Sequence, residues 1–164
     1  MVIKNESKIC GQHTNDLRAF IEHRATWFYL LLKEVRERSL DWEDIGRKAV
    51  LSCGKFHGNN KFTKTSDLKE FAHQFANDTV KKVFEMEIKE LTESKCVVEF
   101  NYCPLVAAWL KLTNNEEDIA TLCDIAMDGD RGIISTFNNF DMQLEETIAS
   151  GDKVCRLTIY KKNN

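Results

Sequence analysis

The chain has 164 residues, is 43% hydrophobic and 30% charged, and carries Phe 10 and Trp 3. That is enough apolar material to bury one sizeable core, which excludes a disordered chain and points to one globular domain. Lys+Arg 23 against Asp+Glu 26 gives a net charge of −3 with no basic stripe, so nucleic acid is not an expected partner.

No apolar run approaches the roughly 20 residues of a membrane span, so no membrane partner is expected. The start, MVIKNESKIC, lacks the apolar core of a secretory signal, which predicts a cytoplasmic protein. Six cysteines at irregular spacing read as free thiols rather than a disulfide framework. There is no CxxC pair, so no structural zinc is expected.

In chain order, residues 1–14 are polar and expected to be loose, with a single domain over 15–164. From Thr14 or Asn15, the residues Leu17, Phe20, Ile21, Arg24, Trp27, Phe28, Leu31 and Val35 recur at helical spacing. Arg24 interrupts that stripe and has to pair or snorkel. Asp41 opens a second helix with acids in its first turn, which suits the helix dipole. Its expected buried face is Trp42, Ile45, Ala49 and Cys53, and Gly54 and Gly58 are expected to end it. Cys53 and His57 stand four apart, a spacing at which two side chains can share a metal, but two ligands do not make a site.

Asp67 and Glu70 form a capping-box pattern for a third helix with Leu68, Phe71, Ala72 and Phe75 on one face, ending at Asn77 and Asp78. The period then drops to two. Strands are predicted over Val83 to Leu91 and Lys95 to Tyr102, a hairpin turned by TESK.

The stretch Asn101 to Asp130 is the richest in chemistry. Pro104, the only proline, suits the first position of a helix and makes Cys103 its N-cap. A thiolate there faces free N–H groups and the positive helix end, so its pKa is expected to fall. The next helix is capped by Thr113 or Asn114. Asp124 and Asp128 are four apart and share one face of it. Asp128 and Asp130 oppose its dipole and fit a solvated end before Gly129 and Gly132 break it. Two further strands, Phe140 to Ile148 and Lys153 to Tyr160, form a second hairpin with Cys155, Leu157 and Ile159 inward.

Helix runs separated from strand pairs predict an α+β fold: a four-stranded antiparallel sheet with helices packed on it and a helical N-terminal third. A ligand pocket would lie between sheet and helices.

The segments YCPLVAAW, LCDIAMDGDRG and ETIASGDKVCRLTI resemble the L-2-amino-thiazoline-4-carboxylic acid hydrolase family. The segments IEHRATWFYLLLKE, GRKAV and CGKFHG are similar to a clostridial-type branch of it. The resemblance covers nearly the whole chain. It implies a hydrolase acting on a non-peptide C–N bond in a small cyclic amidine or thiazoline, giving a carbamoyl-cysteine, with no cofactor. Such chemistry needs a nucleophile or activated water, an acid for the leaving nitrogen, and a cation for the substrate carboxylate. Within it, Cys103 fits nucleophile or pocket wall, and Asp124 or Asp128 fits base or acid. Arg131 or Arg24 fits the carboxylate clamp, with His57 a reserve base or substrate contact.

The closing GD-x2-C strand also resembles the four-vinyl-reductase-type small-molecule-binding domain, some of whose sensor versions hold zinc. Thr147 stands where a cysteine ligand would be needed, so no metal is expected. The alternative function is therefore a non-catalytic small-molecule-binding domain. Fold analogy alone does not decide between the two. The oligomeric state is not legible, and a homo-oligomer is compatible with the sequence.

Overall fold

The computed structural model describes residues 2–162; Met1, Asn163 and Asn164 lie outside them. Helix α1 (Gln12–Glu37) is followed by α2 (Trp42–Asn60), α3 (Leu68–Phe75) and α4 (Asp78–Val83). Strands β1 (Met86–Leu91) and β2 (Lys95–Phe100) come next, then α5 (Pro104–Trp109) and α6 (Glu116–Ser135). The chain closes with β3 (Phe140–Glu146), a 3-10 turn (Ile148–Ser150) and β4 (Cys155–Lys161). The class is α+β. No helix among the described residues is long and apolar enough to cross a membrane.

Every strand pairing is antiparallel, in the order β1-β2-β4-β3. The two hairpins are joined where β4 pairs with β2, with Val98 opposite Leu157 and Phe100 opposite Cys155. Alternation puts Cys96, Val98 and Phe100 on one face with Cys155, Leu157 and Ile159, and all six are buried. Trp109 of α5 is fully buried, and its indole N–H donates to the Ala25 carbonyl at 3.1 Å. That bond satisfies the one polar atom a buried indole carries.

Asn77 does not simply end the third helix. Its Oδ1 accepts from the N–H groups of Thr79 and Val80 at 3.1 and 3.2 Å and so caps α4. A helix of under two turns shows no period, so α4 is not legible and Val83, its last residue, reads as strand; β1 begins at Met86, not Val83. Likewise Tyr102 lies beyond β2, and Ile148 belongs to the 3-10 turn.

The inward face of α1 is rotated from the expected stripe. Phe20 is 73% exposed, Trp27 58% and Leu31 53%, whereas Thr14, Arg18, Ala25 and Leu32 are buried. Arg18 tolerates burial because its guanidinium is fully engaged. It donates to the carbonyls of Val83 (2.9 Å), Ile9 (2.7 Å) and Lys82 (3.2 Å), pairs with Glu85 at 3.1 Å, and lies 4.4 Å over the Tyr102 ring.

The expected face of α2 is also turned outward, with Ile45, Ala49 and Cys53 exposed. Its buried residues are Gly46, Gly54 and Gly58. Gly54 and Gly58 lie inside the helix rather than ending it, and Gly129 and Gly132 do not break α6. These glycines let two backbones touch. A Cβ on Gly54 would stand 2.1 Å from the Gly129 carbonyl oxygen, and one on Gly132 would stand 2.5 Å from the Leu51 oxygen.

The amino-terminal segment expected to be loose is tied down. Asn5 brackets the backbone of Cys103, donating from Nδ2 to its carbonyl and accepting its N–H on Oδ1, both at 2.8 Å. Glu85 Oε1 accepts the N–H groups of Lys8 and Ile9 at 2.6 and 2.7 Å. Glu85 holds a left-handed φ of 50°, a conformation a side chain occupies only when its surroundings enforce it.

Candidate active site

Three cysteines meet where α5, α6 and β4 converge. Cys103 caps α5 as Cys-Pro predicted, with φ −129°. Cys123 comes from the middle of α6 and Cys155 from the start of β4. All three belong to one buried cluster. Each keeps 6–7% exposure, whereas Cys96 in the same core has none.

Their protonation differs from the sequence expectation. Burial pushes the Cys103 thiol up to about 12, and the neighbouring Cys155 sulfur adds to this. The N–H groups of Val106 and Leu105 and the charge of Arg24 pull the other way and lose. The thiol makes no cap hydrogen bond, so the helix end does not generate a thiolate at this position. Cys123 is also driven up, first by sharing its thiol proton with Cys155 and then by burial. Cys155 is the acceptor of that contact, which lowers it despite burial; its sulfur also receives the Ile148 N–H at 3.3 Å.

Arg24, His57 and Asp130 lie together within the reach of one charge. Arg24 acts electrostatically on Cys103, His57 and Asp130. Its own side chain is exposed and makes no hydrogen bond or ion pair among the described residues. His57 is half-buried; burial lowers it, followed by Lys61 and Arg24, and its Nδ1 is buried without a partner. Burial raises Asp130 to about 6 against the opposing pull of Arg131 and Arg24. Asp130 likewise makes no hydrogen bond or ion pair among the described residues.

Asp124, Asp128 and Arg131 are bound up in a network between α2 and α6, from which Arg131 still acts on Asp130 and Asp124 on Cys123. Arg131 reaches Asp124 and Asp128 at 2.7 Å each, and Arg47 reaches them at 2.7 and 3.3 Å. Burial raises Asp124, but its bonds from Arg131 and Arg47 outweigh this and hold it below the usual carboxylate range. Asp124 therefore lacks the raised pKa that a general acid requires. Arg131 spends its fork on these two aspartates.

Of the sequence candidates, Arg24 thus acts on both Cys103 and His57, while Asp124, Asp128 and Arg131 are bound to one another and to Arg47 as an ion-pair lattice. Asp130, which the sequence reads as a solvated helix end, joins the groups under the charge of Arg24 instead. The missed signal was its spacing: it lies seven residues after Cys123, two turns along the same face of α6. Asn5 carried no local signal, being 98 positions from its partner. Among the described residues no group of three or more His, Cys, Asp and Glu side chains is placed to hold a metal ion. Two depressions lie away from the thiols. One is a cleft of about 30 Å³ lined by Tyr29, Leu32, Trp42 and Leu122; the other is an open polar hollow beside Lys64 and Thr136.

Comparison with known proteins bears on this arrangement. The model of the family described as L-2-amino-thiazoline-4-carboxylic acid hydrolase matches residues 18–159. The match does not resolve the clostridial-type branch. No curated protein matches. Among solved structures, the chain is similar to a trafficking protein particle complex subunit 3 from Naegleria fowleri, covalently bound to palmitic acid. The two are 13% identical, with a TM-score of 0.60 over 87% of this chain and 95% of that one. At that identity the likeness is one of fold.

Proposed function

The chain belongs to the L-2-amino-thiazoline-4-carboxylic acid hydrolase family, and from that premise we propose that it opens a small cyclic amidine or thiazoline at a ring C–N bond, giving a carbamoyl-cysteine. The observation that carries the reading is the pairing of an unengaged cation, Arg24, with an unengaged carboxyl, Asp130, that burial raises to about 6. A carboxyl with that pKa still holds a usable fraction of its proton near neutral pH and can give it to a leaving nitrogen, directly or through one water. Arg24 presents a fork that fits a substrate carboxylate. The thiol cluster supplies the nucleophile, with Cys103 and His57 both under the charge of Arg24. Asp124, Asp128 and Arg131 hold α6 against α2 and so fix the helix that carries Cys123 and Asp130. Six free cysteines fit the cytoplasmic setting this reading includes.

The test is direct. Incubation with 2-amino-thiazoline-4-carboxylate should yield the carbamoyl-cysteine by mass spectrometry. Arg24→Ala should raise KM about tenfold or more with a smaller effect on kcat, because the carboxylate contact is made equally in ground and transition states. No turnover of this compound or of related cyclic amidines sinks the reading.

A second reading, a non-catalytic binding domain, draws on the fold likeness to a subunit that carries palmitic acid covalently. On it a buried thiol would hold an acyl group as a thioester. Intact mass of the native protein, before and after hydroxylamine, distinguishes the two.

A further inference from the structure

We propose that the outer face shared by α1 and α2 is where a second copy of this chain docks, giving a two-fold homodimer. The inference is independent of the hydrolase reading and stands or falls without it.

The face comes from an apolar pattern that the fold of one chain leaves in water. On α1, Phe20, Trp27 and Leu31 recur at helical spacing and line one narrow stripe. On α2, Ile45, Cys53 and Phe56 do the same. All six are exposed, Phe56 at 62% and Ile45 at 40%.

The two stripes lie on the same side of the molecule. The helices run antiparallel, because a Cβ on Gly46 would stand 3.2 Å from Leu32 and Arg36 lies 5.5 Å over the Trp42 ring. Carried along both axes, that register brings Trp27 within about a turn of Cys53 and Leu31 within about a turn of Ile45. A step of two rotates a helix by about 200°, so Glu22 is on the opposite flank of α1 from Phe20. Glu22 pairs with Lys111, just past α5, which leaves the Phe20 stripe on the flank toward α2. On α2, Cys53 is seven residues past Gly46 and so shares the flank that meets α1.

The area is that of an interface. An aromatic side chain carries about 150–250 Å², so Phe20 at 73%, Trp27 at 58% and Phe56 at 62% leave on the order of 400 Å² of ring surface in water. Leu31, Ile45 and Cys53 extend it to the upper end of the roughly 300–600 Å² that the largest patch of a monomer spans. With its polar rim the face comes close to the ~800 Å² that each partner of a standard interface buries.

Charge selects the occupant. The ions at the rim are paired within their own helices, Arg38 with Glu34 at 2.8 Å and Lys48 with Asp44 at 2.7 Å. A rim of both signs meets its own copy without repulsion. A helix that lies on an anionic membrane instead carries Lys and Arg over its polar face. Arg24 stands inside the face, one turn from both Phe20 and Trp27. Its guanidinium can stack on a ring of the second copy and still offer its N–H edge to an anion, so pairing is compatible with the role given to it above. Two antiparallel helices laid on their own copy across a two-fold axis form a closed four-helix layer, so assembly stops at two.

The experiment is sedimentation velocity of the full chain over a dilution series, followed in parallel by tryptophan emission. Wild type should sediment at twice 19.0 kDa at micromolar concentration and dissociate on dilution, with emission moving to the red as Trp27 enters water. Trp27→Glu and Phe56→Glu should each raise the dissociation constant about 30-fold or more, the loss expected at a central aromatic anchor. Circular dichroism should not change, because both side chains are exposed in the single chain. Val2→Glu, at 77% exposure outside both helices, should leave the dimer intact. A monomer throughout the series, a dimer indifferent to both helix variants, or equal weakening by Val2→Glu overturns the proposal. An open-ended ladder of larger species overturns the two-fold geometry and the proposal with it. So does a monomer that binds phosphatidylglycerol vesicles through Trp27, which would make the face a lipid contact. None of these outcomes touches ring opening, which the turnover assay judges separately.

Discussion

Asp128 and Asp130 stand two positions apart on α6 and meet opposite fates. A step of two rotates a helix by about 200°, so one carboxylate faces Arg47 and Arg131 and the other does not. Asp130 therefore has the burial without the partners. Its folded pKa of about 6 exceeds the ordinary Asp value of about 3.9. Between those values the folded chain holds a proton that the unfolded chain has lost, so its contribution to stability falls as pH rises through that window. Asp130→Asn should then be more stable than wild type by roughly 1–3 kcal/mol above pH 6, with the gain vanishing near pH 4. It should also lose about 100-fold or more in kcat if Asp130 is the acid. Urea unfolding at pH 4 and pH 8 checks the first part, and equal shifts at both would refute it. Asp124 runs the other way. Its lowered pKa gives stability above the usual carboxylate range that is lost as the medium turns acid. Cys103 marks the limit of sequence reading here. Its cap position was legible from Cys-Pro, but its proton is decided by burial in the core and by the Cys155 sulfur from far along the chain.

Helices α2 and α6 pack backbone to backbone, and this decides how α6 presents Cys123 and Asp130 together. Glycine in a helix interior costs about 1 kcal/mol against alanine, so five of them in two helices need a return. The return is the contact itself. Gly54→Ala should destabilise by about 3 kcal/mol or more, because its Cβ would lie 2.1 Å from a backbone oxygen that has no side chain to move aside. Gly11→Ala, where nothing lies within 4 Å, should stay within about 0.5 kcal/mol. Comparable denaturation midpoints for the two variants would contradict the packing argument. Locally, glycine reads as a breaker, and that rule placed ends at Gly54, Gly58 and Gly129 where tertiary contact keeps the helix going. Caps were more legible, because they are local chemistry. Asp41 and Asp67 accept the N–H groups of Asp44 and Glu70 as their spacing implies. For α6 the cap is Asn115, one residue past the expected pair, with Thr113 accepting its N–H.

Over the whole molecule, period-two patterning was enough to place all four strands and the inward Cys155, because one face of the sheet is buried and the other carries ions such as Glu99 and Arg156. The outward turn of Phe20, Trp27 and Leu31 was not legible, since hydrophobicity alone does not say that a bonded arginine, Arg18, takes the inner place. Nor was the fixed amino-terminal segment. Asn5→Ala should cost roughly 1–3 kcal/mol by leaving the Cys103 N–H without its partner and the carbonyl with the Ala107 N–H alone. Hydrogen exchange should then quicken at the Cys103 amide while β2 and β4 stay protected; unchanged exchange at Cys103 would show the bracket to be idle. That bracket also sets an order in time. Asn5 is 98 positions from Cys103, and Lys8 is 77 from Glu85. A ribosome adds about 5–20 residues per second, so Asn5 leaves the tunnel on the order of 5–20 s before its partner does. Among the earliest residues made, Asn5 has nothing to grip until the start of α5 has emerged, so the bracket can close only after α1 to α4 and the β1-β2 hairpin have been made.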